Sequence, residues 1–151
     1  MKLYESAEDY LESVLILEER LGTVRSIDVA NALGVSKPSV SVAMKKLREN
    51  GYVAMEADGA IKLLPQGRQV ARRVYERHQL LTRFFTALGV PEAVAAADAC
   101  KAEHALSQET FDRLKAHALD WMAGSRSPVT RIAGRSSPSS WRNSAIASKP
   151  V

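Results

Sequence analysis

Cys100, Glu103 and His104 offer a thiolate, a carboxylate and an imidazole in one short stretch. On a helix, positions i, i+3 and i+4 share a face, so the three would point the same way. Such a trio is half of a site for a soft-to-intermediate divalent metal. Each member alone has a blander role: an apolar-flanked Cys is usually core, a Glu usually solvated, a His usually hydrogen-bonded. Other candidates share that ambiguity. Asp9 and Glu12 lie three apart on one side of a first helix, where acids also suit the helix macrodipole. His78 sits inside an apolar stripe with Ala71, Val74, Leu81 and Phe85, and there an isolated His is by default a core residue.

The elements that must position these residues are bounded by a chain of 151 residues and 16.5 kDa. There is room for one domain, or for two small ones sharing a long helix, but not for a catalytic barrel. Apolar runs fall far short of the roughly 20 residues of a membrane span. The start, Met1 to Glu5, has no apolar stretch after its charge and does not read as a secretory signal. The single Cys excludes an internal disulfide and fits a reducing cytosol, so a cytoplasmic protein without a membrane partner is expected. Net charge is +4, unevenly spread: residues 20–83 carry 12 Lys and Arg against 5 Asp and Glu, whereas residues 1–19 carry 1 against 6. A basic block flanked by acidic segments points to nucleic acid as the partner of that block.

Taken in order, Ser6 is the expected N-cap of the first helix, with Leu11, Val14 and Leu15 as its stripe and Gly22 as its end. Ser26 is the expected cap of a short second helix with apolar positions Ile27, Val29, Ala30 and Leu33, closed by Gly34. Ser36 then caps a third, with Pro38 in the first turn, where a missing N–H costs little. Val40, Ala43, Met44 and Leu47 commit one face of that helix to the core. The residues left to meet a partner are Ser36, Lys37, Pro38, Ser39, Ser41, Val42, Lys45 and Lys46. Small residues permit close approach to base edges, Val42 suits a thymine methyl, and Lys45 or Lys46 can reach phosphate. Residues 52–56 and 60–64 read as strands around Asp58-Gly59, a hairpin signal. Helix, turn, helix and hairpin together make a winged helix-turn-helix.

A long helix is expected over about 65–88, with Arg68, Arg72, Arg73 and Arg77 on or beside its polar arc and available to DNA backbone. Gly89 and Pro91 break it. A helix from Val94 through Leu106 carries the opening trio, and a last one begins at Ser107 with Phe111, Leu114, Ala118, Leu119 and Met122. Residues 124–151 lack acids, are rich in Ser and contain three prolines, so a disordered basic tail is expected. The fold class is therefore mainly α: a winged helix-turn-helix (1–64) joined by a long helix to an all-helical domain (65–123), then the tail.

Glu-Asp-Tyr-Leu-Glu (8–12), Ser-Lys-Pro-Ser-Val-Ser (36–41), the hairpin, Arg-His-Gln-Leu-Leu (77–81) and Ala-Cys-Lys-Ala-Glu-His (99–104) follow one another in an order that resembles a known family. It is that of the metal-dependent transcriptional repressors, which includes the diphtheria toxin repressor and the manganese transport regulator. The resemblance implies a metal set of Asp9, Glu12, His78, Cys100, Glu103 and His104. Cys100 is similar to the iron-type members and Asp9 to the manganese type, a hybrid. Thr82 and Ala96 stand where iron-type members have an ancillary Glu and His, and no SH3-like third domain follows, so the shorter manganese-type architecture is implied.

What the resemblance implies is a repressor of Mn²⁺ or Fe²⁺ uptake genes, not an enzyme, binding a palindromic double-stranded DNA operator as a metal-loaded homodimer. The expected cofactor is a divalent transition metal, Mn²⁺ slightly ahead of Fe²⁺, with Zn²⁺ or Co²⁺ able to occupy the site in vitro. A metal-independent winged-helix regulator is the nearest alternative. A small metallohydrolase and a metal-storage protein are more distant ones.

Overall fold

The computed structural model describes residues 4–124 of the chain. Among them six helices and one two-stranded sheet occur, and the chain divides into two compact units, one ending at Glu76 and the other beginning at Arg77. The expected tail lies, from residue 125 onward, outside the described residues.

In the first unit, α1 (Glu5–Leu21) packs with α2 (Ser26–Leu33) and α3 (Lys37–Glu49). Leu11 to Leu17 of α1 are all buried, and with Val29, Leu33, Val40, Met44 and Leu47 they form the core of the three-helix arrangement. Two of the expected caps fall elsewhere. Tyr4, not Ser6, is the residue before α1, and it makes no side-chain cap bond. The α2 helix is preceded by Arg25, whose N–H donates to Asp28 Oδ2 at 2.8 Å, so Ser26 lies already inside it. The reason is local: an acid at the third helical position satisfies the entering N–H by itself. Ile27 is exposed as well, because it stands two residues from Val29, on the opposite side of the turn. Ser36 caps α3 as the sequence indicates, its Oγ accepting from the Ser39 N–H at 3.3 Å.

The wing consists of β1 (Val53–Met55) and β2 (Ile61–Leu63), antiparallel with Val53 opposite Leu63. Its turn is tightened by the Gly59 N–H donating to the Glu56 carbonyl and by the Asp58 carboxylate accepting from the Ala60 N–H. Gly59 carries φ +84°, a left-handed conformation that other residues rarely adopt. One strand-like contact was not legible in sequence: Ile61 N–H donates to the Val24 carbonyl, which ties the wing to the loop before α2.

The long helix α4 runs from Pro65 to Ala87, and the division between the units falls within it. Its start is seated on the Tyr52 carbonyl, which accepts from the Leu64 N–H; a Cβ at Gly67 would overlap that same carbonyl. In the second unit, α5 (Glu92–Ala102) and α6 (Gln108–Gly124) accompany the end of α4. Leu81, Ala95, Ala99, Phe111 and Ala118 are among its buried apolar residues, and Phe84 meets the Trp121 ring edge-on at 5.6 Å. Leu119, expected among the packed positions of α6, is instead exposed.

Candidate metal centre and DNA-facing helix

The helix expected to carry the opening trio stops at Ala102, short of the sequence expectation of Leu106. Glu103 is its C-cap, still in helical conformation, and His104 lies in the turn beyond. Cys100 and Glu103 thus keep the common face that i, i+3 spacing demands, while His104 is aimed by the turn instead of by the helix.

His78 of α4 meets them. Its Nδ1 lies 2.9 Å from Glu103 Oε2 and 3.6 Å from Cys100 Sγ. On the other side of the same carboxylate, Glu103 Oε1 is 3.2 Å from His104 Nε2. All four side chains are nearly inaccessible, Glu103 completely so. The ligand atoms of His78, Cys100 and Glu103 fall within 4.8 Å of one another. With metal–nitrogen, –oxygen and –sulfur bonds of about 2.0–2.3 Å, neighbouring ligand atoms on one ion stand roughly 3–4 Å apart. The donor set therefore fits a first-row divalent cation in both chemistry and spacing.

Of the remaining candidates, Glu12 of α1 is fully buried and Asp9 partly so, both in the first unit. Burial pushes the neighbouring Tyr10 phenol above its ordinary value, and the Asp9 carboxylate adds to the rise.

Along α3, Lys37, Pro38, Ser39, Ser41, Val42, Lys45 and Lys46 are all exposed, Val42 by 56%, opposite the buried Val40, Met44 and Leu47. Ser36 is exposed too, but its hydroxyl is occupied by Ser39, through both the Ser39 N–H and a 2.8 Å hydroxyl–hydroxyl bond.

Of the four arginines of α4 expected beside DNA backbone, the burial of Arg77 contradicts the expectation for that residue. Arg68 pairs with Glu18 at 2.7 Å and Arg73 with Glu8 at 3.0 Å, both acids coming from α1. Arg77 is buried: its Nη1 donates to the carbonyls of Glu103 (3.0 Å) and Leu106 (2.7 Å), its Nη2 to Gln108 Oε1 (3.1 Å). Only Arg72 of the four is exposed without an ion pair among the described residues. Sequence reasoning missed Arg77 because its partners lie 26 to 31 residues away, and no local spacing announces them.

Two family models match the chain in succession: residues 2–61 match the iron dependent repressor N-terminal DNA binding domain, and residues 64–119 its metal binding and dimerisation domain. The chain is 38% identical over 108 residues to the transcriptional regulator MntR of Salmonella typhimurium, covering 72% of this chain and 69% of that one. It is 38% identical over 109 residues to the HTH-type transcriptional regulator MntR of Geobacillus kaustophilus, covering 72% and 77%. Among solved structures, a manganese-dependent transcriptional repressor in complex with manganese superposes with a TM-score of 0.65 at 31% identity, over 74% of this chain and 52% of that one. The metal-dependent transcriptional regulator MtsR gives 0.69 at 27% identity, over 76% and 53%. The chain thus spans about half the length of these two solved proteins.

A winged helix-turn-helix followed by a helical metal-binding and dimerisation domain makes a metal-dependent transcriptional repressor. The chain belongs to the DtxR/MntR family of such repressors. The relatives are transcriptional regulators, and no helix among the described residues is long and apolar enough to cross a membrane.

Proposed function

We propose that the protein represses genes for Mn²⁺ or Fe²⁺ uptake, binding a palindromic operator as a metal-loaded homodimer. The observation that carries this reading is the buried cluster of His78, Cys100 and Glu103, with His104 on the other oxygen of Glu103. Donors of three chemical kinds withdrawn from water are costly unless something compensates their charge and polarity. In this reading Asp9 and Glu12 complete the ligand set. The burial of Glu12 supports its inclusion, since a carboxylate taken out of water calls for a cation or hydrogen-bond donors. When bound, the cation would offset the negative charge of its carboxylate ligands.

Oxygen ligands favour Mn²⁺, whereas the Cys100 thiolate favours Fe²⁺ and strengthens Zn²⁺ and Co²⁺. Three carboxylates against one thiolate put Mn²⁺ slightly ahead. We assign residues 1–64 to DNA binding and 65–123 to metal binding and dimerisation. Ser36, Lys37, Pro38, Ser39, Ser41, Val42, Lys45 and Lys46 are assigned to the operator contact. The recognition helices of a symmetric dimer must stand about 34 Å apart, or a multiple, to enter successive major grooves. Metal loading then selects the arrangement with that spacing, a population shift bounded by the difference in metal affinity between arrangements.

Fluorescence anisotropy of labelled DNA from the gene's own upstream region, titrated anaerobically with EDTA, Mn²⁺, Fe²⁺ or Zn²⁺, tests this. Binding is expected only with metal, and the order of the metals resolves the hybrid site. Equal binding in EDTA would overturn it in favour of a metal-independent winged-helix regulator.

A further inference from the structure

We infer that Arg77 is a positioning residue for the metal centre: it holds the turn Glu103–Leu106 in the conformation that sets the Glu103 carboxylate between His78 and His104. The inference rests on the metal-binding reading above and adds to it a residue that contacts no metal itself.

The α5 helix ends at Ala102, and the carbonyls at a helix end have no partner within the helix. Locally the Ala105 N–H donates to the Ala102 carbonyl, but neither a glycine nor a proline occurs from Ala102 to Ser107 to fix the turn further. Further closure comes from α4. A single Nη1 of Arg77 donates to the first and the last carbonyl of the turn, those of Glu103 and Leu106. Its Nη2 donates to the Gln108 side chain at the start of α6, and its guanidinium stacks over the Phe111 ring, 5.1 Å from the centroid. The turn between two helices is thus clamped to the helix that carries His78, one residue from that imidazole. A guanidinium is suited to this because its donors form a rigid planar fork and its face packs on an aromatic ring. A lysine offers the charge at one point and cannot span both carbonyls and Gln108 together.

If the turn is released, the Glu103 carboxylate loses its fixed placement between the two imidazoles, and ligand atoms must be ordered at the moment of binding. Groups that orient metal ligands in this way typically contribute 10- to 100-fold in affinity.

The test uses the full chain and compares the parent with Arg77→Lys, Gln108→Ala and Glu103→Gln. Mn²⁺ affinity is read by electron paramagnetic resonance of the free ion, and folding of the metal-free protein by circular dichroism. Arg77→Lys is expected to fold and to bind Mn²⁺ about 10- to 100-fold more weakly, and Gln108→Ala to lose less. A merely structural role would lower the melting temperature without moving the affinity of the folded protein. Unchanged affinity in a folded Arg77→Lys overturns the inference. So does an unfolded Arg77→Lys accompanied by a Gln108→Ala that binds like the parent; if Gln108→Ala is weakened in that case, the inference stands. Failure of the parent to bind Mn²⁺ removes the metal reading and this inference with it. A parent that binds, a Glu103→Gln that does not, and an unaffected Arg77→Lys remove the positioning role alone.

Discussion

Glu103 is the residue through which the site is read: each carboxylate oxygen faces a different imidazole, and the carboxylate is wholly enclosed. Its neighbour Cys100 decides the chemistry. Replacing Cys100 by Ser exchanges a soft donor for a hard one, so Zn²⁺ and Co²⁺ affinity should fall by more than Mn²⁺ affinity does. Competition titrations check this, and unchanged affinities for all three ions would show that the thiol is not a ligand. At the same scale, Gly67 is required by packing: a methyl there would overlap the Tyr52 carbonyl that receives the first turn of α4. Gly67→Ala should therefore cost about 1–3 kcal/mol in urea denaturation, although alanine is ordinarily the better helix former. His78, Cys100 and Glu103 were legible as candidates from residue type and spacing alone. Arg77 was not, because its role exists only through partners distant in the chain.

Elements were legible where periodicity is strong and poorly so at their ends. The stripes of α1, α3 and α4 follow the 3.6-residue repeat, and Gly22 and Gly34 close α1 and α2 with positive φ, as their sequence positions indicate. The N-terminal caps of α1 and α2 are not legible in sequence because several polar residues compete at a helix start, and the approach of the chain chooses among them. The early end of α5 has a different cause, a clamp from another helix. The arginines of α4 show the same limit: a polar arc in sequence looks free, yet Glu8 and Glu18 of α1 engage two of its charges. Ser36, by contrast, was read correctly, and its bond to the Ser39 N–H gives a simple check. Ser36→Ala should lower stability by about 1 kcal/mol. A Ser36→Asp change, which restores an acceptor, should recover most of it.

For the whole molecule, coupling between metal and operator is a thermodynamic statement with a reciprocal form. Whatever factor metal adds to DNA affinity, operator DNA must add to metal affinity. Metal titrations with and without the operator should differ by that same factor, and identical metal affinities would end the coupling model. Salt provides a second axis: if Lys45 and Lys46 meet operator phosphates as proposed, affinity should fall steeply as salt rises.

Trp121 stands edge-on to Phe84 near the end of α6, still 37% exposed, with Leu119 exposed two residues before it. Its indole is therefore a built-in gauge of self-association. In a Trp141→Phe background it becomes the sole tryptophan of the chain and can be excited apart from the four tyrosines. As protein concentration crosses the dimer range, its emission should move to the blue if a second copy covers this end of α6. A fixed maximum, with dimers seen by light scattering, would locate the pairing surface elsewhere.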